Sequence, residues 1–138
     1  MLTFHDIKKW TAEEARAHLS GPDEDVAHVM QVAAEAGVAE AQARYGQMLL
    51  DGTGVVTDQA EALRWFSQAA QAGHAMAMNM VGRCCEHGWG TTMDKSLAAQ
   101  WYGAAAKQGL DWAMYNLATL HCLGEGVTLD RERALHLY

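Results

Sequence analysis

The chain has 138 residues, half of them hydrophobic, with a single proline and a formal net charge of −7 at pH 7. This hydrophobic content argues against a disordered chain, and abundant alanine without β-branched runs favours helices over strands. No segment is strongly basic, which argues against nucleic acid as a partner. No apolar stretch approaches the roughly 20 residues that span a bilayer, which argues against membrane insertion.

The first ten residues lack the apolar core and the small-residue cleavage site of a signal peptide. The three cysteines are an odd number, and two of them, Cys84 and Cys85, are adjacent, so a disulfide framework is not expected. Both observations lead us to expect a cytoplasmic protein. A chain that had been trimmed of a leader would instead be periplasmic or secreted.

Residues 1–37 precede a series of 36-residue repeats and have the pattern of an atypical first repeat. Thr11-Ala-Glu-Glu14 has the spacing of a capping box and predicts a helix to about Ser20, after which Gly21-Pro22 breaks the chain. Residues 23–37 match only the second helix of the repeats described next. We therefore predict a degenerate N-terminal capping repeat over 1–37, because the end repeats of a stacked array are atypical.

The rest of the chain repeats every 36 residues. Gly37, Gly73 and Gly109 recur at that interval, and small residues, glycines and aspartates keep the same register between them. A fixed period of this length is typical of a solenoid, in which each unit buries its apolar face against its neighbours. The units that this register defines are 38–73, 74–109 and an incomplete 110–138.

Each unit has the pattern of two helices. In the first full unit, small and apolar residues recur at helical spacing over 39–50, and Asp51-Gly-Thr-Gly54 ends that helix. Asp58 lies at the N-cap of the second helix, Glu61 could complete a capping box, and the helix is predicted to end near Ala72. The corresponding predictions in the later units are helices over 75–87, 95–108 and 111–123, N-caps at Asp94 and Asp130, and a last helix cut off at Tyr138.

The positions that recur between units have packing reasons. Gly46 and Gly82 occupy equivalent positions, at which two helices are predicted to cross closely. The aromatic residues expected to fill the space between units are Trp65, Phe66, Trp101 and Tyr102.

This pattern closely resembles the Sel1-like repeat family, which is related to the tetratricopeptide repeats. The resemblance implies an all-α fold, a right-handed α/α superhelix of about 3.5 tandem helix-turn-helix repeats. It also implies a bacterial adaptor that binds other proteins. Because the sequence has no nucleophile elbow, Walker loop, HExxH or dinucleotide-binding motif, we expect neither catalysis nor a cofactor. The residues that carry the resemblance are Ala39-Glu-Ala-Gln, Gly46, Asp51-Gly-Thr-Gly-Val55, Asp58, Ala62-Leu-Arg-Trp-Phe66, Gly73-His74 and their counterparts in the next two units.

In related repeats the first helix of each unit lines the concave face of the superhelix, which implies where a protein or peptide partner would bind. These positions vary between units whereas the packing positions do not, as expected when framework and binding surface are separate. Trp112 has an alternative role, in which it packs against the helix beside it or against a further unit. The predicted concave-face residues are Glu40, Gln47, Met76, Asn79, Arg83, Glu86, His87, Trp112, Tyr115 and Thr119.

Trp89 lies between two glycines in the loop of its unit, where the other units have Thr53 and Glu125. The fold therefore does not require an aromatic residue there, and an exposed ring on a loop would serve as a contact for a partner. The alternative is that the ring folds back over the helix ends.

Two other functions remain open. Cys84, Cys85, His87, His121 and Cys122 leave a metal or thiol-redox site as one alternative. Neighbouring first helices are about 10 Å apart, whereas zinc needs its ligands within about 2.0–2.3 Å of one centre, so we predict no metal ligands and expect buried thiols that pack as small hydrophobic groups. The second alternative comes from the resemblance, because some bacterial members are immunity proteins that neutralise a secreted toxin.

The last unit stops at Tyr138 without the small residues and the glycine that end the earlier units. We expect an uncovered apolar edge there. Either the protein self-associates through this edge, another segment covers it, or the chain has been cut short.

Overall fold

The computed structural model describes residues 1–123, and within them it is all-helical, with no strands. The all-α architecture predicted from the sequence is confirmed. The predicted last helix, its N-cap Asp130, its end at Tyr138 and the expected apolar edge lie outside the described residues. The helices are α1 (Phe4–Lys8), α2 (Ala12–Leu19), α3 (Asp23–Glu35), α4 (Ala39–Asp51), α5 (Gln59–Gln71), α6 (Ala75–His87), α7 (Lys95–Lys107) and α8 (Asp111–Leu123).

The helices from α3 onward form a stack in which each one packs against its neighbours in sequence. The first helices of the units are α4, α6 and α8, and the second helices are α5 and α7, with bounds within one residue of the predicted ones. Each has 13 residues, a length of about 20 Å, which is less than the ~30 Å hydrocarbon core of a bilayer. Within residues 1–123, no helix is long and apolar enough to cross a membrane.

Glycines and aspartates set the ends of the helices as predicted. Gly52 and Gly88 follow α4 and α6 in the left-handed conformation, with φ of 75° and 74°. Asp58 and Asp94 precede α5 and α7, and each carboxylate accepts a 3.0 Å hydrogen bond from the backbone N–H three residues later. The same two capping devices therefore repeat in successive units and hold the loop between each pair of helices.

A complete capping box forms at α1, a helix that the sequence pattern did not predict. There the side chains of Thr3 and Asp6 each accept a hydrogen bond from the other residue's backbone N–H. At α2, the Thr11 side chain accepts from the backbone N–H of Glu14, which is one of the two hydrogen bonds of the predicted capping box. At α5, the Glu61 carboxylate accepts from Arg64 Nε at 3.2 Å, so its predicted role in a capping box is replaced by an ion pair within the helix.

The glycines inside the first helices allow close packing of each helix pair, as predicted. A Cβ atom on Gly46 would lie 2.9 Å from the Phe66 ring, and one on Gly82 would lie 2.6 Å from the Tyr102 ring. Both rings are completely buried. Aromatic rings from the second helices, set against glycines of the first helices, are therefore part of a core that is otherwise rich in alanine.

The second glycine of each loop has a role that the repeat pattern alone does not indicate. Gly54 was predicted only to end a helix, but a Cβ atom there would collide with the backbone carbonyl of Asp23, at the start of α3. Gly90 has the same relation to Gln59 at the start of α5, where the Cβ atom would lie 2.5 Å from the carbonyl oxygen. Each loop thus rests on the second helix of the preceding unit.

Candidate functional site

A cavity of about 450 Å³ lies along the first helices. Every predicted concave-face residue except Glu40 and Thr119 lines it. We call this cavity the first-helix groove. It is lined by Gln47 of α4, by Met76, Asn79, Met80, Arg83, Glu86 and His87 of α6, by Tyr102 of α7, and by Trp112, Tyr115 and Asn116 of α8.

Part of the groove lining is apolar and exposed to solvent. On α8, Trp112 is 66% exposed and Tyr115 is 60% exposed, and Met76 on α6 is 40% exposed. Such large apolar side chains are normally buried when they have only a packing role. A partner that covered them would gain the free energy of burying aromatic surface, which dominates many protein interfaces.

Two groove-lining residues, Arg83 and His87, lie against the ring of Trp89. The guanidinium carbon of Arg83 lies 5.2 Å from the centroid of the Trp89 ring, and the ring centroids of His87 and Trp89 are 4.6 Å apart. Trp89 is half-buried and packs against the core, which is the geometry of the folded-back alternative. Its role as a contact for a partner stays a prediction.

Glu86 is held in place from the second helix of its own unit. Tyr102 Oη donates a 2.7 Å hydrogen bond to Glu86 Oε1, and His87 Nε2 lies 3.8 Å from Glu86 Oε2. The pKa of Tyr102 is raised well above its usual range, mainly by burial and secondly by this hydrogen bond. Tyr102 was predicted to have a packing role alone, although the hydroxyl that Phe66 lacks could have indicated a polar role.

The floor of the groove is closed by a pair of amides. Asn116 Nδ2 donates a 3.0 Å hydrogen bond to Asn79 Oδ1, and Asn79 is only 3% exposed. Asn79 was predicted as a contact for a partner, but the structure buries it beneath the groove and ties it to α8. Met80 and Asn116, which line the groove beside it, were not identified from the sequence.

The two remaining predicted residues lie outside the groove. Glu40 lines an adjoining cavity of about 570 Å³, which shares Gln47, Met76 and Met80 with the groove. Its carboxylate accepts from His74 Nε2 at 2.6 Å and from Arg44 Nε at 2.9 Å. Both bonds lower the pKa of Glu40, and the bond from His74 has the larger effect. The side chain of Thr119, in contrast, donates to the backbone carbonyl of Tyr115 at 3.0 Å.

The cysteine and histidine cluster does not converge on one point. Cys84 and Cys85 are buried and Cys122 is exposed. Burial raises the pKa of Cys84 to about 11 and also raises that of Cys85, which disfavours the thiolate that binds metals and attacks disulfides. Within residues 1–123, no group of three or more His, Cys, Asp or Glu side chains is arranged to hold a metal ion.

Comparison with known proteins agrees with this architecture. The Sel1 repeat family matches the chain over residues 39–74, 75–110 and 113–138. The crystal structure of c5321, a protective antigen present in uropathogenic Escherichia coli strains and displaying an SLR fold, is 31% identical with a TM-score of 0.82. That match covers 85% of this chain and 25% of the antigen. A Sel1 repeat protein from Oxalobacter formigenes is 30% identical with a TM-score of 0.80, over 83% of this chain and 46% of that one.

Among curated protein sequences, none matches this chain. The chain spans less than half the length of either solved structure that it matches. Sel1 repeats are generally protein–protein interaction scaffolds, and proteins of this family are typically not catalysts. With three matched repeats that cover most of its residues, the chain belongs to the Sel1 repeat family.

Proposed function

We propose that this protein is a non-enzymatic adaptor that binds a protein or peptide partner in the first-helix groove. The observation that carries the proposal is the exposure of Trp112 and Tyr115, at 66% and 60%, beside the half-buried Arg83. Trp, Tyr and Arg are the residue types whose removal most often costs an interface more than about 2 kcal/mol.

Comparison of equivalent positions supports the same surface. Trp112 corresponds to Met76 and Glu40 in the two preceding units, whereas the alanines and aromatic rings of the core recur. The stack therefore repeats without an aromatic residue at this position. An exposed tryptophan that packing does not require is best explained by a contact with another molecule.

The groove suits a polypeptide better than a small molecule. It continues past Gln47 and Met76 into the adjoining cavity near Glu40. The side-chain nitrogens of Gln47 and Asn116 donate within the protein, and their amide oxygens could accept from a partner's backbone N–H groups.

The test compares wild-type protein with the double variant Trp112→Ala/Tyr115→Ala as bait for native lysate, followed by calorimetric titration of each purified partner. We expect one stoichiometric partner whose affinity falls by at least about tenfold in the double variant. Val56→Ala is the matched control, because Val56 is 89% exposed and lies outside the groove.

Unchanged affinity in the double variant would refute the groove assignment. The identity of the partner separates a general adaptor from an immunity protein, because an immunity protein would form a tight one-to-one complex that blocks one enzyme's active site.

A further inference from the structure

We propose that the partner segment is acidic: one of its carboxylates contacts Arg83, and a neighbouring large apolar side chain contacts Trp112 and Tyr115. This inference rests on the proposed function and adds the chemistry of the partner to it. It follows from the hydrogen bonds that the charged groups of the groove make, and not from the net charge of the chain.

The carboxylates on and beside the groove already have partners. Glu86 accepts from the Tyr102 hydroxyl at 2.7 Å. Asp51, on the last turn of α4, accepts from Gln47 Nε2 at 2.9 Å, and Glu40 accepts from Arg44 Nε and His74 Nε2 in the adjoining cavity. These bonds use part of the acceptor capacity of each carboxylate, so the groove offers a lysine or arginine fewer acceptor positions than unpaired carboxylates would.

Arg83 is in the opposite situation. It is the only lysine or arginine among the groove-lining residues that the structure describes, and within residues 1–123 no carboxylate forms an ion pair with it. Its guanidinium carbon lies over the Trp89 ring, and Nη1 is 3.9 Å from the sulfur of Met80. A guanidinium has five N–H donors, so neither contact prevents it from donating to a carboxylate.

We attribute the absence of an ion pair between Arg83 and Glu86 to Tyr102. The two charged residues are three positions apart on α6, the spacing of the Glu61–Arg64 ion pair on α5, although with acid and base in the reverse order. In α6 the hydroxyl of Tyr102 holds the carboxylate of Glu86 instead.

The preceding unit shows that the fold does not require this bond. It has Phe66 and Leu50 at the positions of Tyr102 and Glu86. The bond is therefore specific to the unit that carries Arg83, and its consequence is a guanidinium left available to an anion.

The size of the site indicates an extended segment. The groove and its adjoining cavity share Gln47, Met76 and Met80 and so form one continuous surface across α4, α6 and α8. A helix with its side chains is about 10 Å wide, so a surface across three helices is at least about 20 Å long, the length of about six residues of extended chain. The inferred ligand is thus a short extended peptide with an acidic and a large apolar residue close together.

A library of displayed ten-residue peptides, selected on immobilised wild-type protein, tests this inference. We expect the enriched peptides to share Asp or Glu close to Trp, Phe, Tyr or Leu. A synthetic peptide of the consensus sequence, followed by fluorescence anisotropy, should bind at least about tenfold more weakly to Arg83→Gln protein. Replacing the acidic residue of the peptide by its amide should cause a similar loss, and the two changes together should weaken binding little more than either alone.

Tyr102→Phe is the variant that tests the arrangement itself. Phe66 shows that the ring without its hydroxyl fits the equivalent position, so we expect folded protein, checked by circular dichroism. Glu86 would then be free to pair with Arg83, and affinity for the acidic peptide should fall severalfold. Val56→Ala should bind the peptide as the wild type does.

Three results would overturn the inference: selection that enriches no peptide, a consensus without an acidic residue, or acidic peptides that bind Arg83→Gln as tightly as wild type. A consensus that lacks acid but is lost in Trp112→Ala/Tyr115→Ala would leave the proposed function intact and reject only the acidic partner. A captured partner that binds the double variant normally would reject the proposed function itself.

Discussion

Tyr102 joins the packing core to the groove, because its ring packs against Gly82 while its hydroxyl donates a 2.7 Å hydrogen bond to Glu86. Tyr102 thus belongs to the core and also lines the groove. On the proposed function, a change at this residue should alter both stability and recognition, and the two can be measured independently.

Tyr102→Phe should lower the free energy of unfolding by about 1–2 kcal/mol, since the hydrogen bond to a carboxylate is lost while the ring is kept. Urea denaturation followed by circular dichroism would measure the change. A variant as stable as the wild type would show that the bond to Glu86 contributes nothing to the fold.

Two glycine-to-alanine changes in helices should have opposite effects. In Gly82→Ala the new methyl group would lie 2.6 Å from the Tyr102 ring, and overpacking of this kind costs about 1–3 kcal/mol. Gly103 of α7 has open space where a Cβ would lie, so Gly103→Ala should stabilise the protein by about 0.5–1 kcal/mol through helix propensity alone. Thermal unfolding of both variants checks the pair, and equal melting temperatures would contradict the close crossing at Gly82.

Two loop glycines with similar backbone angles should differ in how far they tolerate alanine. Gly73 and Gly90 have φ of 88° and 75°, so alanine is strained at either, at a cost of about 1–2 kcal/mol. A methyl group on Gly73 would have no atom within 4 Å, whereas one on Gly90 would lie 2.5 Å from the Gln59 carbonyl oxygen. Gly90→Ala should therefore be clearly the more destabilising in chemical denaturation. Equal losses would mean that the loop does not rest on the preceding unit.

Stability should fall in alkaline solution as the cysteines ionise. The thiol of Cys84 has a pKa of about 11 in the fold, against an ordinary value of 9.0. The unfolded chain releases this proton first, so the stabilisation is complete below pH 9 and declines as the pH rises towards 11. The full loss from this one group is about 2–3 kcal/mol.

Denaturation in a reducing buffer between pH 8 and 11 would measure this decline, and Cys84→Ala should show a shallower one. Cys85 and Tyr45, whose pKa values burial also raises, account for part of the slope that remains. Identical slopes in wild type and variant would contradict the burial of the Cys84 thiol.

The helix bounds were predictable because their signals are local. Gly52 and Asp58 each act on the backbone of their own loop, so a 36-residue period with these residues defines where helices end and begin. The short α1, in contrast, was missed because five residues are too few for an apolar period to be visible.

The site was predictable in outline but not in its contacts. The periodicity places Arg83, Trp112 and Tyr115 on first helices, and the structure brings them to one groove. The burial of Asn79 under its bond with Asn116 depends on the distance between α6 and α8, which a sequence pattern does not contain. The role of Tyr102 in the groove depends on a tertiary contact in the same way.

The most direct test of the central claim, that the groove binds the partner, is site-specific photo-cross-linking. A photo-reactive phenylalanine analogue in place of Tyr115 would lie in the groove, and the same analogue in place of Gln71, an exposed residue of α5, would lie outside it. We predict that irradiation of the complex with the captured partner gives a cross-linked product from position 115 and none from position 71. Cross-linking at position 71 with none at position 115 would contradict the account.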